Sequence, residues 1–172
     1  YNKGEGIRMA LDAGGAPAGD FGSYHAEPMD PRSAQVEPLV MSFSYGLLVN
    51  KNGRRFVDEA PGPVDVHYDH ISRAIKDQPD GIAYMVYDQR IHDVPNWRKG
   101  IRTDQPAIEA NSLAELAKAC GVDEAGLLAT VNAFNAACPD GAFLPLEVDG
   151  LATAGIEPVK SNWSRPLDKT PF

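Results

Sequence analysis

The sequence is poor in cysteine, in positive charge and in long apolar runs, and each shortage removes a class of protein. Its 172 residues hold two cysteines, Cys120 and Cys138, placed near predicted helix ends without metal-ligand spacing. They read as reduced thiols, which fits a cytoplasmic protein better than a disulfide-built secreted one. Lys and Arg number 16 against 24 Asp and Glu, a formal net charge of −8. Nucleic acids and anionic membrane surfaces demand clustered cations, so neither is an expected partner. No apolar run approaches the roughly 20 residues of a membrane span, and the opening residues do not read as a basic-then-apolar leader. Internal repeats are absent too.

What is present is enough for one domain, since 43% of the residues are hydrophobic. Small molecules and proteins remain as partners. The most informative run is Ser44 to Glu59. Gly46 to Val49 reads as a short apolar strand, Asn52-Gly53 supplies the positive φ of a tight turn, and Arg55 to Val57 returns as a second strand ending in the carboxylates Asp58 and Glu59. By itself this is a surface hairpin with a charged edge. Upstream, Gly4 to Gly14 has helical spacing and opens on Gly4-Glu5-Gly6, which suits either an oxygen-rich ligand near a helix N-terminus or an ordinary loop-to-helix junction. Asp20 to Pro38, with Gly22, Pro28, Pro31 and Pro38, reads as an irregular loop carrying His25, a candidate ligand contact.

Downstream of the hairpin, Ala60-Pro61-Gly62-Pro63 predicts a rigid turn, Asp69 to Lys76 a helix, and Ile82 to Tyr87 a strand. His67 and His70 are spaced to share a helix face, yet no third ligand accompanies them, so no metal is predicted. His67 and Tyr68 are better read as proton-transfer groups. Residues 91–110 read as loop with short helical turns. Ser112-Leu113-Ala114-Glu115 is a capping box that opens a helix ending at Gly121, and Asp123 caps a second helix, Glu124 to Ala137. Their short joint predicts a helical hairpin packed on the sheet. From Pro139 the chain reads as a connection, with a possible strand at Ile156 to Val159. Ser161 to Asp168 has the composition of a pocket rim or domain interface. The expected fold class is α+β, a small sheet with packed helices.

Taken together, these runs resemble a known family. Gly4-Glu5-Gly6-Ile7-Arg8-Met9-Ala10, His25, Gly46 to Asn50 followed by Gly53 to Glu59, Ala129 to Asn135, and Lys160-Ser161-Asn162-Trp163 leading to Pro171-Phe172 are similar in order and spacing to the flavoprotein subunits of the fumarate reductase and succinate dehydrogenase type. The Lys-Ser-Asn-Trp run points to the tricarballylate dehydrogenase-like branch. The resemblance implies the capping (substrate) domain of an FAD-dependent oxidoreductase that acts on a small polycarboxylate by hydride transfer to flavin. It also implies that the chain is an excised piece: residues 1–20 leave the FAD domain of the same parent chain, 21–154 form the cap, and 155–172 return. FAD is then the cofactor of the parent, and the fragment, which has no Gly-x-Gly-x-x-Gly turn, is not expected to bind it tightly alone.

By the same resemblance Glu5 approaches the FAD and His25 contacts a substrate carboxylate. One position departs from the family. The Arg that follows the Phe-x-x-Glu run within about four residues in fumarate reductases is missing, because no Arg lies between Arg55 and Arg73. His67, Tyr68 or His70 is expected to take over its proton transfer. The alternative is a degenerate, non-catalytic cap that serves as a binding module.

Overall fold

Leu47-Leu48-Val49 is the buried centre of the chain, and its alternation sets the layers. In the computed structural model, which describes residues 2–172, strand β1 (Leu47–Val49) pairs antiparallel with β2 (Tyr84–Val86) in the register Leu47↔Val86, Leu48↔Met85, Val49↔Tyr84. Successive side chains of a strand point to opposite faces. Accordingly Leu47, Val49 and Val86 join one apolar cluster, while Leu48 packs with Phe43, Val57 and Ile71 in another. Helix α2 (Val64–Lys76) covers the second face; α3 (Leu113–Cys120) and α4 (Glu124–Ala137) cover the first through Leu116, Ala117, Leu127, Val131 and Phe134. This is an α+β fold with a two-stranded sheet between helices. Helix α1 (Glu5–Asp12) buries none of its residues, and Ile7, Met9 and Leu11 stand exposed.

The helical hairpin follows its local signals. Ser112 Oγ accepts the Glu115 N–H at 3.2 Å, Asp123 Oδ1 accepts the Gly126 N–H at 2.6 Å, and Gly121 closes α3 at φ 69°. Helix α2 begins at Val64, earlier than the expected Asp69, because Pro63 leads directly into a turn that carries Asp65 at its positive end. His67, Tyr68 and His70 therefore all stand on one helix.

Three expectations are corrected. Arg55 to Val57 is no strand: one bridge, Val49↔Arg55, forms before the chain leaves, and the neighbour of β1 is β2. The Asn52-Gly53 turn is real, with Gly53 at φ 67°, but it docks on the start of α4. The Asp123 N–H donates to the Lys51 carbonyl at 2.9 Å, and a Cβ at Gly53 would lie 2.2 Å from the Leu127 nitrogen. The stretch beyond Pro139 is likewise more than a connection. Leu151, Trp163 and Leu167 are buried, and Thr153 and Lys160 bond each other through the Thr153 N–H and the Lys160 N–H. Ile156 to Val159 makes no strand, since Pro158 has no N–H to place in a ladder.

Candidate functional site

Two buried charges organise the run that follows the turn. Glu59 is fully buried; its Oε1 accepts the Leu48 N–H at 3.0 Å and Arg55 Nε at 2.8 Å, and its Oε2 accepts Arg55 Nη2 at 2.6 Å. The pair is bidentate and dry, with side-chain exposures of 4% for Arg55 and 0% for Glu59. A third charge, Lys160, enters from the far end of the chain and donates through Nζ to the Gly46 carbonyl at 2.9 Å and to the Ser44 carbonyl. Burial pushes its amine down to about 8, with Glu59 opposing the shift. Beside it, Asp58 accepts the Ser161 N–H at 3.1 Å and the Ser161 hydroxyl, and Asn162 Nδ2 donates to the Ala60 carbonyl at 2.9 Å. The Phe-x-x-Glu and Lys-Ser-Asn-Trp runs are thus one structural unit. Ser161 to Asp168 lies largely inside it: Trp163 is buried, and its Nε1 donates to the Leu144 and Glu147 carbonyls.

On the other side of the sheet, α2 meets the long loop. The His25 and Tyr68 rings lie 5.2 Å apart, tilted by 31°. Around them, Asp69 Oδ1 accepts the Ala26 N–H at 2.8 Å, and Asp69 Oδ2 accepts Arg73 Nε at 2.8 Å. Arg73 also donates to the Tyr24 carbonyl and places its guanidinium 4.6 Å from the centre of the Tyr24 ring. The Ala26 N–H, and then Arg73, hold the Asp69 carboxyl below the usual carboxylate range. His25 and Tyr68 are therefore brought together. His67 turns toward Gly62, where a Cβ would lie 2.9 Å from its Nε2, and His70 is exposed. No group of three metal-ligating side chains forms among the described residues.

Glu5 stands apart, exposed at the start of α1, where the Lys3 N–H donates to its Oε2 at 2.8 Å and lowers its pKa. Gly4 and Gly6 face open space. The N-terminus of α1 is thus open among the described residues. A groove of about 910 Å³ runs along β2, lined by Tyr84, Tyr87, Trp97, Ile101 and Phe172 among others, and it includes none of Glu5, His25, His67, Tyr68 or His70. Cys120 and Cys138 are free thiols. No helix among the described residues is long and apolar enough to cross a membrane.

Sequence reasoning missed Asp69 and Arg73, and it read Lys160 only as part of the Lys-Ser-Asn-Trp run. The i,i+4 spacing of Asp69 and Arg73 was readable on a helix, but their partners, Tyr24 and Ala26, lie more than 40 residues away in sequence. Nothing local marked Lys160 as buried.

Residues 1–160 match the family described as FAD binding domain, and the chain belongs to that family, whose cofactor is FAD. Among its relatives, 4-oxocyclohexanecarboxylate 2-dehydrogenase of Sinomonas cyclohexanicum is 31% identical over 153 residues, covering 78% of this chain and 26% of that protein. Urocanate reductase of Eggerthella lenta is 33% identical over 103 residues, covering 56% of this chain and 16% of that protein. In fold, the open conformation of a flavocytochrome c3 fumarate reductase superposes with a TM-score of 0.62 at 22% identity, covering 98% of this chain and 27% of that one. The chain thus spans about a quarter, or less, of the length of these relatives.

Proposed function

We propose that the chain is the substrate-capping part of an FAD-dependent oxidoreductase acting on a small polycarboxylate or related acid, as in tricarballylate dehydrogenase. Residues 1–20 and 155–172 are the segments leaving and re-entering the FAD domain of the same parent, and 21–154 are the cap. The observation that carries the reading is the ordering of His25 against α2: a loop histidine held beside Tyr68 with its imidazole exposed suits a carboxylate contact. In support, the relatives described above are named for acids, a urocanate, a 4-oxocyclohexanecarboxylate and a fumarate.

FAD, when bound, supplies the hydride-accepting ring. This chain's own residues bind, orient and move protons. His25 fixes a carboxylate, and proton transfer falls to α2, where Tyr68 is nearest to His25 and His67 and His70 flank it. Glu5 is the contact toward FAD, and the chain alone holds the cofactor weakly because α1 is open on all sides. The visible spectrum of the complete protein tests this reading. A bound flavin bleached by a small carboxylate supports the enzyme, whereas a colourless protein inert to such acids leaves the second reading, a cap that only binds. That second reading is favoured by one observation, the lack of any Arg between Arg55 and Arg73.

A further inference from the structure

Between Phe21 and Glu27 the loop has little to fold around. Phe21 and Tyr24 are exposed, and the loop contributes no residue to either apolar cluster. The Gly22 and Ser23 N–H groups turn back onto Asp20, and among the described residues the two backbone hydrogen bonds that leave this part of the chain both go to α2. The Ala26 N–H donates to Asp69 Oδ1 at 2.8 Å, and the Tyr24 carbonyl accepts from Arg73. These groups lie one residue after and one residue before His25. Asp69 and Arg73, a turn apart on α2, bond each other at 2.8 Å, so the two ends of the clasp are themselves joined. Arg73 also covers the Tyr24 ring, and Tyr68, adjacent to Asp69, backs the imidazole.

We propose that Asp69 and Arg73 are positioning residues for His25, a clasp that pins the backbone on both sides of the histidine and fixes where its imidazole meets the substrate. The inference rests on the reading of His25 as the carboxylate contact. Stability is a poor explanation for the clasp. Asp69 and Arg73 are more than a third exposed, and an exposed i,i+4 pair contributes little to folding. What the pair does alter is the freedom of a polar loop that has no core of its own. Placing a group in advance of binding lowers the ordering cost of the complex, so loss of the clasp weakens substrate binding before it weakens chemistry.

The test uses the complete protein. Asp69→Ala and Arg73→Met are expected to raise KM for the carboxylate about tenfold with kcat close to wild type, which is the signature of lost ground-state positioning. Asp69→Asn, which keeps an oxygen toward the Ala26 N–H, is expected to retain most of the wild-type KM. In a His25→Ala background, Asp69→Ala is expected to add nothing, because the residue it positions is gone. Hydrogen exchange read by mass spectrometry on peptides spanning 21–27 is expected to accelerate in Asp69→Ala while α3 and α4 stay protected. A wild-type KM in both clasp variants, full additivity with His25→Ala, or unchanged exchange over 21–27 overturns the proposal. If the wild-type protein turns over no carboxylate, the functional reading falls by itself, and the exchange measurement alone then upholds or overturns the clasp.

Discussion

Lys160 illustrates how much one buried side chain dictates. Its ammonium sits against the Ser44 and Gly46 carbonyls beneath the start of β1, and desolvation depresses its pKa from 10.5 to about 8. The unfolded chain therefore binds this proton more tightly than the folded one, and protonation opposes folding. The sign follows: the group's contribution is most favourable above pH 10.5 and is lost as pH falls from there to about 8. At about 1.4 kcal/mol for each unit, roughly 3 kcal/mol rides on that window. Urea titrations between pH 7.5 and about 10.5 are expected to show stability rising by that order in wild type relative to Lys160→Met, which lacks the titrating group. Its neighbours behave differently. Glu59→Ala strands the buried Arg55 guanidinium and is expected to cost about 3–5 kcal/mol, whereas a joint Glu59→Leu and Arg55→Met exchange removes both charges and costs far less. Equilibrium unfolding of the single and double variants checks this. Nothing local marked Glu59 as buried, because Leu48, whose N–H it accepts, and the Pro158 and Val159 carbonyls that hold its partner Arg55 lie outside its own run.

At the scale of the elements, what was legible was local. The capping residues Ser112 and Asp123 and the stop at Gly121 are signals carried within a few positions, and α3 and α4 appear where those signals placed them. Ile82 to Tyr87 also became a strand, at Tyr84–Val86. The hairpin was misread because a turn signal says nothing about which surface the turn will meet. Gly53 is a turn glycine, but the space it preserves belongs to α4, where a Cβ at Gly126 would lie 2.0 Å from the Asn52 carbonyl oxygen. A methyl there must push the turn and the helix apart, so Gly126→Ala is expected to destabilise by about 1–3 kcal/mol, although alanine is the better helix former. Ser112→Ala, which loses one exposed cap, is expected to cost about 1 kcal/mol. Thermal unfolding of the two variants decides whether docking or capping is the larger effect. His25 was legible as a loop histidine, and the clasp that orders it was not, since it joins residues 24 and 26 to residues 69 and 73.

Over the whole molecule, the α+β class followed from short strands and capped helices, while the closure of the chain on itself did not. Residues beyond Pro139, rich in Pro, Gly and Asp, lack periodicity, and a segment of that composition reads as surface. Here side chains supply part of its hydrogen bonding in place of a ladder: Asp149 accepts the Leu151 and Trp163 N–H groups, and Asn162 accepts the Gly150 N–H. Irregular backbone can be buried when side chains supply the partners that a ladder would otherwise provide.

The seam between residues 58–60 and 160–162 has a mechanical consequence. Because Asp58 and Ala60 hold Ser161 and Asn162 directly, and Lys160 is plugged beneath β1, the two ends of a hundred-residue circuit are fastened to each other without relying on the peptide chain between them. The exposed stretch around Leu146 and Val148 is then dispensable as a covalent link. Cutting the chain there is expected to yield two fragments that co-elute on size exclusion and part only in denaturant, and the same two pieces, expressed separately, are expected to reassemble as a split protein.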